Sequence, residues 1–159
     1  MTKEEILAME AGEELDALVS EGIMGCPKPD FIPEHALELA LAGSPVRYNG
    51  WLCICFYDEG DVPKWIPDPY STDISAAWQV VEKMKDMIDN KRNQLLCCLK
   101  IHCDIPGEAW DIHWSYSELS IMDDGHKDHK LPLSWFSLPE AICKAALLIR
   151  EIEKLEEGG

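Results

Sequence analysis

Positive charge is scarce in this sequence. There are 14 lysines and arginines against 30 aspartates and glutamates, a formal net charge of -16 at pH 7. Affinity for nucleic acid comes largely from Lys and Arg neutralising phosphates, so direct binding to DNA or RNA is not expected. Adsorption to an anionic membrane surface is disfavoured for the same reason. Long apolar runs are missing as well; none approaches the ~20 residues a membrane span needs. Met1-Thr2-Lys3-Glu4-Glu5 is acidic, with no basic stretch leading into an apolar one. No signal peptide is read there, and a cytoplasmic protein is expected. Neither a Walker-type loop nor a dinucleotide fingerprint occurs, so no cofactor is expected. Cysteine is not scarce, but no two are spaced C-x-x-C. An odd total of 7 without a secretory signal argues against a disulfide framework.

Enough apolar material remains for a core. Hydrophobic residues make up 47% of the 159, and a chain of this length buries roughly 70% of its unfolded surface. One domain spanning 1–159 is the expectation. The negative charge itself admits two readings. It is either a solubility charge spread over helix faces or an acidic decoy occupying the nucleic-acid site of another protein.

Local patterns give the order of elements. Thr2 and Glu5 have capping-box spacing, and Ile6, Leu7, Leu15, Leu18 and Val19 follow, which predicts a helix over about 3–21 that stops at Gly22 and Gly25. The segment 26–69 is broken by seven prolines, Pro27, Pro29, Pro33, Pro45, Pro63, Pro67 and Pro69. Within it, Glu34–Ala42 has the pattern of a short helix. Trp51–Tyr57 alternates like a strand, with Leu52, Ile54 and Phe56 on one face and Cys53, Cys55 and Tyr57 on the other. Ser71-Thr72-Asp73 offers N-cap residues for a second long helix, with Ile74, Ala77, Trp78, Val81, Met84 and Ile88 on one face. Leu95–Cys103 and Trp110–Tyr116 read as a hairpin, and a third strand is expected around Leu119–Met122. Ser137-Leu138-Pro139-Glu140 opens the last helix, with Ala141, Ile142, Ala145, Leu148, Ile149 and Ile152 facing the core. Helices layered on a mainly antiparallel sheet, an α+β fold, satisfy this order.

Pro69–Met84 resembles the signature of the phage ABA sandwich domain family. Ala141–Leu148 is similar to that family's C-terminal helix, and Met1–Gly25 to its first helix, through Glu14-Leu15-Asp16-Ala17-Leu18-Val19 and Met24-Gly25. The resemblance implies an α-β-α sandwich in a phage or prophage protein, with an irregular Pro-rich elaboration at about 27–66. It implies no activity and no catalytic residue.

Three groups of side chains carry chemistry. Asp123, Asp124, His126 and His129 lie in the polar run Asp-Asp-Gly-His-Lys-Asp-His, whose imidazoles and carboxylates suit a divalent ion; a solvated loop explains them equally. His102, His113 and Asp111 lie on the expected hairpin, with the two histidines opposite each other in one register. They form either an acid–base cluster or an ordinary polar sheet face. Cys53 and Cys55 share a strand face and could reach one ion, while Cys97 and Cys103 lie opposite in face to His102; these are either a structural zinc site or, as the absence of C-x-x-C favours, buried reduced thiols. Trp65 and Trp135 lie near prolines, and an exposed tryptophan there would anchor an interface. No nucleophile is paired with a base, which leans against an enzyme. The leading expectation is a non-catalytic domain that binds another protein, or a second copy of itself, through a sheet edge or the segment 45–69. A small metal-binding protein or enzyme using the His/Asp residues, and the acidic mimic, are the alternatives.

Overall fold

The computed structural model describes residues 1–56, 60, 62–90, 95–103, 110–118, 127–130 and 137–157, with side chains for those up to 86 and for 137–151. The first helix differs from its prediction. Residues 3–21 form two helices, α1 (Lys3–Ala8) and α2 (Glu13–Val19), the second running on into a π turn at Ser20–Met24. Thr2 and Glu5 close a full capping box on α1. The physical reason for the break lies in the spacing of the apolar residues. Ile6 and Leu15 are nine residues apart, so on one straight helix they would sit about half a turn from each other. Breaking the chain at Gly12, whose φ of 147° suits glycine, lets both become fully buried.

The described residues of the proline-broken segment form a helix and a small sheet. Helix α3 (Glu34–Leu41) packs on a three-stranded antiparallel meander, β1 (Val46–Tyr48), β2 (Trp51–Cys55) and β3 (Pro63–Pro67), with β2 in the middle. Tyr48 pairs with Trp51 across a two-residue turn. Its residues, Asn49 (φ 47°) and Gly50 (φ 77°), both adopt the left-handed conformation that a type I′ hairpin requires. Prolines stand at both ends of β3, an edge strand that tolerates the missing N–H groups. On β2 the alternation is as read, and the buried face is the one with Trp51, Cys53 and Cys55, while Leu52 and Ile54 are half-buried. Register sets Cys53 opposite Trp65, and the two join Ala40 and Trp51 in a small core of their own.

The larger core is built on α4 (Ile74–Asn90) and α5 (Leu138–Glu157). Asp73 caps α4 by accepting from Ala76 N at 2.9 Å. Its buried face is Ala76, Ala77, Val80, Val81 and Met84. Ile74 and Trp78, expected on the core face, are 46% and 49% exposed. The cause is that the buried arc of α4 is centred on Ala76, Ala77, Val80, Val81 and Met84, and at about 100° per residue Trp78 falls outside that arc. Helix α5 is buried on every side from Ala141 to Ile149, not along one stripe. Helices α1, α2 and α4, the π turn and β5 all pack on it.

Lys144 sits at the centre of this helix with 0% exposure. Its ammonium donates to the Leu7 carbonyl at 3.0 Å and pairs with Glu140 Oε1 at 2.9 Å. The contact satisfies one of the carbonyls left open at the end of α1. A second buried polar link ties α2 to the start of α4. Ser71 N–H donates to Asp16 Oδ1 at 2.5 Å, and Ser71 Oγ accepts from Gly12 N at 2.8 Å.

A second antiparallel meander comprises β4 (Leu95–Cys103), β5 (Trp110–Glu118) and β6 (Lys127–Lys130). Helices α4 and α5 pack on β4 and β5. Strand β6 lies within the run expected to be a loop, and the strand expected around Leu119–Met122 falls outside the described residues. Among the described residues no helix is long and apolar enough to cross a membrane.

Candidate functional site

The open edge of the first sheet gathers exposed aromatic residues. Strand β1 has β2 on one side and, among the described residues, no strand on the other. Tyr48, at its end, is 62% exposed, and Phe31, in the segment before α3, is 72% exposed. Both touch Trp65. The Tyr48 ring lies 6.3 Å from the Trp65 ring, centroid to centroid, and the Trp65 indole N–H donates to the Phe31 carbonyl at 3.1 Å. Trp65 itself, expected as an exposed anchor, is only 5% exposed and belongs to the core. Its position opposite Cys53 on the buried face of β3 explains the difference.

Behind this edge lies a closed set of polar contacts. Tyr70 is fully buried, and its hydroxyl is hydrogen-bonded to the Ser20 hydroxyl, which donates onward to the Cys26 carbonyl at 3.2 Å. That carbonyl also accepts the Trp51 indole N–H at 2.8 Å. Burial, with Asp68 and Cys26 nearby, pushes the Tyr70 phenol up to about 12, so it remains a donor and not a base at neutral pH. Cys26 is half-buried, with Met24 O and Asn49 Oδ1 each 3.7 Å from its sulfur as acceptors for the thiol hydrogen. Arg47 on β1 pairs with the carboxylate of Asp68, which is itself held by Asp68 N–H donating to Gly50 O at 3.1 Å. Every polar group named here has a partner within the fold. The cluster thus locks the hairpin onto the start of α4 and presents no activated nucleophile.

The other expected residues fall as follows. Asp123, Asp124, His126 and Trp135 lie outside the described residues. His129 is on β6, paired with Trp114, on the opposite face of the ladder from His113. On the β4–β5 ladder His102 pairs with Asp111 and His113 with Lys100. The two histidines are therefore diagonal neighbours, not directly opposite, and share a face with Asp111. Cys97 and Cys103 fall on the other face. Cys53 and Cys143 are buried thiols, and burial pushes both up above the ordinary cysteine range. Cys26, Cys53, Cys55 and Cys143 are unpaired. Among the residues with described side chains, no group of three or more His, Cys, Asp or Glu is placed to hold a metal ion.

The exposed aromatic that the sequence reading did not single out is Tyr48, at the end of β1. Asn49-Gly50 marks the hairpin that puts it there. Comparison with protein-family models, with curated proteins and with solved structures gives no match for this chain.

Proposed function

We propose that this chain is a phage or prophage accessory protein of the α-β-α sandwich type that works by binding another protein. The observation that carries the binding reading is the pair of exposed aromatics, Phe31 and Tyr48, flanking buried Trp65 at the open edge of β1. Tyrosine and phenylalanine on a rigid support supply large contact area at low entropic cost, and aromatic residues are enriched in interface cores. Here buried Trp65 supports both, through its ring beside Tyr48 and its indole hydrogen bond to the Phe31 carbonyl. Strand β1 also offers backbone groups to a partner strand, a common mode of peptide recognition. The phage origin and sandwich layering rest on the sequence resemblance of Pro69–Met84 and Ala141–Leu148.

The test is a tagged pull-down from host cells after prophage induction, run beside a Phe31→Asp/Tyr48→Asp variant of unchanged circular dichroism. A partner enriched by the natural chain and lost from the variant supports the reading. Equal capture by both moves the interface elsewhere, and a dimer in light scattering that the variant abolishes assigns the edge to self-association.

A further inference from the structure

The tip of the β1–β2 hairpin joins two residues that react with each other without an enzyme. Asparagine followed by glycine is prone to ring closure, because glycine has no Cβ to shield the attacking nitrogen. The chain holds three asparagines, Asn49, Asn90 and Asn93, and only Asn49 precedes glycine; Lys91 and Gln94 follow the other two. Asn49 is exposed at the turn, so water and base reach its side chain. We propose that Asn49 is a site of spontaneous deamidation, and that opening of the hairpin sets its rate.

The chemistry exchanges an amide for a carboxylate, with water as the co-reactant. The Gly50 nitrogen gives up its proton and attacks Asn49 Cγ. The N–Cγ bond forms, the bond from Cγ to the side-chain nitrogen breaks, and that nitrogen leaves with the proton as ammonia. Water then opens the cyclic imide at one of its two carbonyls. Attack at Cγ restores the original main chain and gives aspartate. Attack at the main-chain carbonyl breaks its bond to Gly50 and leaves the chain running through Cγ, as isoaspartate.

The fold restrains the first step. The Gly50 carbonyl accepts from Asp68 N–H at 3.1 Å, and a Cβ on Gly50 would lie 3.4 Å from Cys26 Cβ and 3.5 Å from the Tyr70 hydroxyl. Asn49 Oδ1 lies 3.7 Å from the Cys26 sulfur. With φ of 47° and 77°, both residues are left-handed. Ring closure turns the main chain beyond Asn49 out of that conformation, so the pairing of Tyr48 with Trp51 must release first. The two products then differ. Aspartate-glycine suits the same type I′ turn as asparagine-glycine. Isoaspartate adds a carbon to the main chain of a two-residue turn, and Tyr48 and Trp51 no longer meet in register. None of this depends on the aromatic edge binding a protein.

The test is to age the natural chain in warm neutral buffer, folded and in guanidinium, and to follow each asparagine by peptide mass spectrometry. Conversion in the folded chain should be faster at Asn49 than at Asn90 and Asn93. It should also be at least about tenfold slower at Asn49 than in guanidinium, since a turn open less than about a tenth of the time reacts only in that fraction. The isoaspartyl product, separated by chromatography, should exchange its amide hydrogens over 46–53 at least about tenfold faster than the natural chain. The Asn49→Asp variant has the charge without the extra carbon and should exchange as the natural chain does. Conversion confined to guanidinium, equal rates in both states, or conversion at Asn90 or Asn93 alone would overturn the proposal. So would an isoaspartyl hairpin that exchanges like the natural one, or an Asn49→Asp hairpin that exchanges like the isoaspartyl one.

Discussion

Replacing Lys144 with methionine removes one charge from the centre of the molecule while keeping the length of the side chain. The ammonium meets the Leu7 carbonyl and the Glu140 carboxylate at 3.0 and 2.9 Å. The Glu140 side chain is 14% exposed, so its charge would stay largely buried without a partner. Removing one member of a buried pair costs about 3–5 kcal/mol, and an unsatisfied buried acceptor costs about 1–3 kcal/mol. Partial solvation of Glu140 places the loss near the lower end, about 3 kcal/mol. At about 2–4 °C per kcal/mol for a chain of this size, the Tm should fall by roughly 6–12 °C. Urea unfolding followed by circular dichroism measures the loss directly. The double variant Lys144→Met/Glu140→Gln should recover part of it, because the orphaned charge is then gone. A loss below about 1 kcal/mol, or strictly additive single and double variants, would refute the view that this pair secures α1 to α5.

Three further outcomes are expected. Gly50→Ala should cost about 1–2 kcal/mol in urea unfolding, because its φ of 77° suits glycine and a Cβ would meet Cys26 Cβ at 3.4 Å; an unchanged midpoint would show that the hairpin relaxes freely. Burial raises the Asp16 carboxyl, against opposing hydrogen bonds from Ser71. The folded chain therefore holds that proton more tightly than the unfolded one. The associated stability is greatest below the ordinary aspartate value of about 3.9 and declines as pH rises toward the folded value. Asp16→Asn should thus gain stability relative to the natural chain between about pH 3 and pH 7, and parallel urea midpoints across that range would exclude the effect. Trp65→Ala should lose about 3–5 kcal/mol in the same assay, whereas Tyr48→Ala should lose far less; equal losses would contradict the placement of one ring inside and the other outside.

Much of the fold was legible because its signals are local. The capping residues Thr2 and Glu5, Asp73 before α4 and Ser137 before α5 each announce a helix start, and the alternation of Trp110–Tyr116 announces a strand. What eluded the sequence depended on what packs where. Residues 3–21 look like one helix until Ile6 and Leu15 must both reach the same core. Trp78 looks like core until the buried arc of α4 proves to run through Ala76, Ala77, Val80 and Val81. Lys144 carries no sign of burial; it becomes intelligible once Leu7 and Glu140 are beside it. At the candidate sites, Asn49-Gly50 was a readable hairpin mark that was passed over. The diagonal relation of His102 and His113 was not readable, because shifting the pairing of β4 and β5 by two residues keeps every apolar residue on its face and changes only which polar residues meet.

The burial of α5 on all sides bears on how the chain comes to fold. Helices α1 and α2, made well before α5, bury Ile6, Leu15 and Val19 in the cluster that α5 completes. Those helices are 6 and 7 residues long, too short to persist alone in water. On the ribosome they must wait through more than a hundred residues of synthesis before Ile142 and Leu147 emerge, and each closure joins distant parts of the chain. Contacts of such separation slow folding and lengthen the exposure of apolar surface. A nascent chain halted before residue 138 would carry the beginnings of a core with its middle missing, a natural client for chaperones.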